Sequence, residues 1–144
     1  MNYDELLQHK ITVTGIATRA SNANPVAIGE LWDRFYTSNF RDLLPTRLSD
    51  DVYSVYFDYE RDFTAPYTVL IGYAVPPASP IPTGLQSTTV PSGGYVVFDA
   101  SGEQPTSLVE TWSTVWTTPL DRKYVADFEL HREDGTVAIY VGVQ

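Results

Sequence analysis

Residues 124–131 read YVADFELH and residues 136–143 read TVAIYVGV, with Asp134-Gly135 in the short connection between them. Both runs are dense in β-branched and aromatic residues, and an Asp-Gly pair between two such runs is a strong hairpin signal. Just upstream, residues 107–116 place Leu108, Val109, Trp112, Val115 and Trp116 on one side of a helix. Before that, residues 94–100 (GYVVFDA) read as a strand. The second half of the chain is thus strand, helix, strand, strand.

The first half runs in the same order. Residues 10–17 (KITVTGIA) read as a strand, and 21–25 form a polar break. Residues 27–44 then carry Ile28, Leu31, Trp32, Phe35, Tyr36 and Phe40 at helical spacing, with Pro45 as a stop. Residues 52–60 (VYSVYFDYE) and 67–75 (YTVLIGYAV) are strands, paired as a hairpin over 61–66. The proline-rich stretch 76–82 separates the halves. Trp32 and Tyr36 lie one turn apart, as do Trp112 and Trp116; VLIGYAV at 69–75 echoes VAIYVGV at 137–143, and Tyr59-Glu60 echoes Phe128-Glu129. The pattern predicts one α+β domain over 1–144: a duplicated βαββ with pseudo-twofold symmetry, its halves about 8–78 and 79–144. Two helices would cover one face of an antiparallel sheet, with a cleft along the pseudo-axis.

Composition narrows the function. The formal net charge is −9, with only 9 Lys and Arg, and these do not cluster. No basic patch offers itself to phosphates, so direct nucleic-acid binding is not expected. The same charge favours cations over anions as ligands. There is no Cys, which removes disulfides, thiolate metal sites and a Cys nucleophile and suits a cytoplasmic setting. The first residues carry no basic segment followed by an apolar run, so neither a signal peptide nor a membrane span is expected. His9 and His131 are far apart, and no metal, phosphate-loop or serine-elbow motif is present, so no cofactor is expected.

The informative cluster is acidic and aromatic. Strand alternation puts Val125, Asp127, Glu129 and His131 on one face, and Tyr124, Ala126, Phe128 and Leu130 on the other, where they suit a core packed under helices. A carboxylate in mid-strand must be solvated, paired or used. Glu60 adjoins Arg61 and Asp62 and reads as solvated. Trp32 and Trp116 read as core, and Trp112 as the candidate for a cleft wall. Phe63 and Tyr67 read as exposed aromatics suited to a dimer contact.

With these residues in place, the chain resembles the effector-binding domain superfamily, which includes the ligand domains of multidrug-responsive transcription activators and free-standing gyrase-inhibitor-like proteins. The resemblance runs from about 10 to 143. It rests on GELWDRF at 29–35, VYFDYE at 55–60, Ile71-Gly72 followed by Val75, VPSGGY at 90–95, Trp112, and ADFEL at 126–130. It implies a ligand cleft between the halves, where a Glu and aromatic rings hold bulky lipophilic cations. Glu129 matches that Glu. Trp112 and Tyr95 match positions near the cleft, Tyr56 is a weaker carry-over, and Asp127 stands beside Glu129. The DNA-reading domain of the activators has no counterpart here, so regulation would work through a partner protein. Burial would raise the Glu129 pKa and weaken cation binding on acidification. Two rival readings remain: a hydrolase using Glu129 as general base, and an interaction module acting on gyrase.

Overall fold

The computed structural model describes residues 3–144. The alternating runs form strands and the two amphipathic runs form helices. In chain order these are β1 (Tyr3–Gln8), β2 (Ile11–Ala20), α1 (Val26–Thr37), β3 (Val52–Phe57), β4 (Tyr67–Val75), β5 (Gln86–Val90), β6 (Gly93–Asp99), α2 (Thr106–Thr117), β7 (Arg122–His131) and β8 (Val137–Val143). The fold is α+β. α1 is shorter than its apolar pattern: the chain turns extended at Ser38, and a 3-10 turn follows at Phe40–Leu43.

All eight strands join one antiparallel sheet in the order β1-β6-β8-β7-β3-β4-β2-β5. Exchanging β1 with β5, β2 with β6, β3 with β7 and β4 with β8 returns the same order read from the other edge. The helices start at Val26 and Thr106, 80 residues apart, and each is 12 residues long. At the centre β3 pairs with β7, where Val55 faces Phe128. At the edges β1 pairs with β6, and β5 pairs with β2, so each half lends its first strand to the other.

The two faces of the sheet have different covers. Leu31 and Phe35 of α1 pack on Tyr56, Val69 and Ile71, while Val115 of α2 packs on Val96, Ile139 and Val141. The other face buries Val13, Val55, Leu70, Val90, Phe128 and Tyr140 with no helix residue among them. What closes that layer is the sheet itself. β5 and β6 lie six places apart in the strand order, yet only Pro91 and Ser92 connect them. The sheet must therefore curl, and the Tyr95 hydroxyl donates to the Pro91 carbonyl at 2.7 Å across the join.

This corrects one expectation. Phe128 and Leu130 lie in the curled interior, and the helices cover the face that carries Glu129. Alternation separates two faces of a strand but does not say which of them receives the helices.

Candidate functional site

A cavity of about 490 Å3 opens between the two helices on the sheet face they cover. Ile28, Gly29 and Trp32 of α1 form one wall, and Leu108, Trp112 and Trp116 of α2 the other. Tyr56 and Glu129 rise from the sheet beneath. Their common direction follows from register: Ser54 sits opposite Glu129 and Tyr56 opposite Asp127, so these four side chains share one face. Tyr59, Phe63 and Tyr67 also line it. Phe63 stacks on Trp116 at 5.9 Å with an interplanar angle of 5°, joining the connection 58–66 to α2.

Glu129 is 1% exposed and is held by three donors. Its Oε2 accepts from the Tyr56 hydroxyl at 2.6 Å and from the Trp112 indole N–H at 2.7 Å. Its Oε1 lies 2.8 Å from His131 Nε2, an arrangement that requires this nitrogen to carry the hydrogen. The donors replace the water that burial removes. Around them, the Tyr56 ring stands edge-on to Trp112 at 5.2 Å, and the His131 ring stands edge-on to Trp32 at 4.9 Å. Burial, and then the charge of Glu129, push the Tyr56 phenol well above its usual value. The same two causes raise Tyr67 to about 12. Both phenols are therefore neutral donors near neutrality.

A second polar group lies beside the first. Asp127 is wholly buried, and its Oδ2 accepts from Arg122 at 2.7 Å and from the Tyr59 hydroxyl. Its Oδ1 accepts from the Gly142 amide at 2.8 Å. The Arg122 guanidinium lies over the Tyr124 ring, 4.3 Å from its centroid. Among the described residues no group of three His, Cys, Asp or Glu could hold a metal, and no helix is long and apolar enough to cross a membrane.

Of the residues singled out from sequence, Glu129, Trp112 and Tyr56 meet at this cavity. Asp127 lies beside it, spent on Arg122, Tyr59 and Gly142. Tyr95 is elsewhere: its ring packs on Phe128 within the curl of the sheet. The reason is parity, because β6 turns Tyr95 to the face opposite the helices. Trp32 and Trp116, read as core, line the cavity, and Trp32 also packs against the core under α1. Phe63 and Tyr67, read as exposed, are also cavity residues, and Tyr67 is buried. Sequence reasoning gave no site role to Tyr59, two residues past β3, or to Arg122, the first residue of β7 and five residues before Asp127.

The family model for Cass2, the integron-associated effector binding proteins, matches residues 8–143. The chain belongs to the Cass2 family. An integron cassette protein from the mobile metagenome of Vibrio cholerae is 32% identical, with 99% of this chain and 95% of that one covered and a TM-score of 0.81. SAV2435, solved bound to tetraphenylphosphonium, is 19% identical over 100% of this chain and 94% of its own, with a TM-score of 0.80. A putative transcription regulation protein from Staphylococcus aureus MU50 is 20% identical over 100% and 99%, with a TM-score of 0.76. No curated protein matches the chain. Membership of the Cass2 family makes this a small-molecule-binding protein of the effector-binding type.

Proposed function

We propose that this Cass2 protein binds bulky, lipophilic, aromatic cations between α1 and α2, as a sensor or sequestering protein. One observation carries the reading: an almost wholly buried carboxylate, Glu129, stands in a cavity walled mostly by aromatic and aliphatic groups. Aromatic faces attract a cation by roughly 0.5–2 kcal/mol each, more once it is desolvated. The carboxylate adds a charge whose field is strong where water is excluded. A soft, delocalised cation loses little hydration on entering, while a bulky anion without hydrogen-bond acceptors meets the repulsive field of Glu129. The tetraphenylphosphonium bound to SAV2435 is a ligand of this class.

The hydrogen bonding favours binding over turnover. Tyr56, Trp112 and His131 already occupy the carboxylate, so it stands as a counter-charge rather than as an open base for water. Calorimetry with tetraphenylphosphonium and its anionic isostere tetraphenylborate tests the proposal. The cation should bind, and the borate should bind at least about tenfold more weakly. Glu129→Gln should erase most of that preference. Equal affinity for the two ions, or a preference untouched by Glu129→Gln, would refute it.

A further inference from the structure

Arg122 is the group that a simple cation does not use. Its side chain is 5% exposed, it borders the cavity, and one nitrogen bonds Asp127 at 2.7 Å. Its Nε and Nη1 are buried with no hydrogen-bond partner. The rings beside it, Tyr124 at 4.3 Å and Phe63 at 5.8 Å, attract the guanidinium charge but offer these N–H groups no acceptor in the guanidinium plane. A buried donor without an acceptor is a standing cost, and a ligand supplying the acceptor removes it.

We infer that the cavity has a second pole at Arg122, and that the preferred ligands carry a hydrogen-bond acceptor, above all a carboxylate, on a short arm beside their cationic aromatic centre. This rests on the cation-binding reading above and names the ligand class more closely. The spacing sets the arm. Asp127 and Glu129 lie two residues apart on one strand face, so the Arg122–Asp127 pair sits about 7 Å along the strand from Glu129. An arm of four or five carbons spans that distance. Phe63 is the side chain to be displaced: it lines the cavity, flanks Arg122 and is partly exposed. Asp127 neutralises Arg122 without filling its donors, so the pole recognises acceptors without turning the cavity into an anion site. A site built with unmet donors discriminates strongly against ligands that lack the matching acceptor.

The test compares two phosphoniums by calorimetry, pentyl(triphenyl)phosphonium and (carboxybutyl)triphenylphosphonium. The carboxylate should bind about tenfold more tightly to the native protein. That ratio should fall to about one in the double variant Arg122→Met/Asp127→Asn, which removes the buried pair together and so leaves no lone buried charge. Arg122→Lys keeps a cation for Asp127 but has no Nε or Nη1 donor, and it should also lose most of the preference; it carries the test if the double variant does not fold. Equal or weaker binding of the carboxylate to native protein would overturn the second pole alone, provided the pentyl compound binds. A preference that survives in Arg122→Lys would overturn it as well. Failure of both phosphoniums to bind would instead sink the cation-binding reading, and this inference with it.

Discussion

At the scale of single residues, the site depends on how the buried Glu129 carboxylate is held by its donors. Tyr56 and Trp112 donate to the same oxygen, Oε2. Tyr56→Phe and Trp112→Phe each keep a ring and remove one donor. Each should cost about 1–3 kcal/mol of stability, read from urea unfolding. Because the two donors share one acceptor, the losses should not add in the double variant. Strict additivity would mean that the carboxylate is held some other way. The phenols give an independent readout. Burial raises Tyr56 and Tyr59 well above the usual value, with Glu129 and Asp127 adding to it, and brings Tyr67 and Tyr95 to about 12. A phenol raised in the folded state stabilises fully below the unfolded value of about 10, and that contribution is lost as pH climbs toward the folded value. Stability should therefore fall between about pH 10 and 12, and phenolate absorbance should show these Tyr ionising late or together with unfolding. A normal titration of all 10 Tyr near pH 10 would contradict the burial described here.

At the scale of elements, glycines in a strand pair and in a helix do opposite things. Gly15 and Gly72 face each other in the β2–β4 pair. A Cβ on Gly15 would lie 1.9 Å from the Ile71 carbonyl oxygen, and one on Gly72 would lie 2.0 Å from that of Thr14. Backbone cannot step aside as a side chain can, so Gly15→Ala and Gly72→Ala should destabilise severely, by more than about 3 kcal/mol. Gly29 lies in α1 with nothing within 4 Å of its would-be Cβ. Gly29→Ala should raise stability by about 0.5–1 kcal/mol through helix propensity alone. Gly29→Phe, aimed into the cavity, should instead exclude tetraphenylphosphonium while the protein stays folded.

The elements also show where sequence reading works and where it stops. Runs such as TVAIYVGV and the Trp-bearing helices declare themselves by period and β-branched content. β1 (YDELLQ) and β5 (QSTTV) do not, because edge strands half open to water need no apolar stripe. Glu129 stands out as a carboxylate in mid-strand, whereas Trp112 and Tyr56 are reached only through the family resemblance. Tyr95 was misplaced, and Trp32, Trp116 and Phe63 were undervalued, for one shared reason. Which sheet face receives the helices is decided by the curl of all eight strands, and no local pattern encodes it. The start of β7 adds to this, since Tyr124 adopts φ 55° and the β7–β8 register slips between Arg122 and Asp127. The slip carries Arg122 onto Asp127 although alternation from Glu129 puts an even-numbered residue on the opposite face.

At the scale of the whole molecule, the duplicated order raises the question of whether each half is a unit of folding. The pairing argues that it is not. Without β7, strand β3 would end the first half with one side of its ladder bare. Without β5, strand β2 would be bare as well, and β6 needs β1 from the other half. The curled interior draws Val13, Val55 and Leu70 from the first half and Tyr95, Phe128 and Tyr140 from the second, so neither half closes a core alone. The cavity is divided in the same way, with Tyr56 and Trp32 on one side and Glu129 and Trp112 on the other. A chain stopped at residue 78, and one begun at 79, should each lack cooperative unfolding and expose strand edges prone to aggregate. Mixed at equal concentration, they should regain strand signal by circular dichroism and a single transition, and only the mixture should bind tetraphenylphosphonium. A first half that folds and melts cooperatively alone would show that the swapped edge strands are ornamental, and that the cavity was assembled from two independent domains.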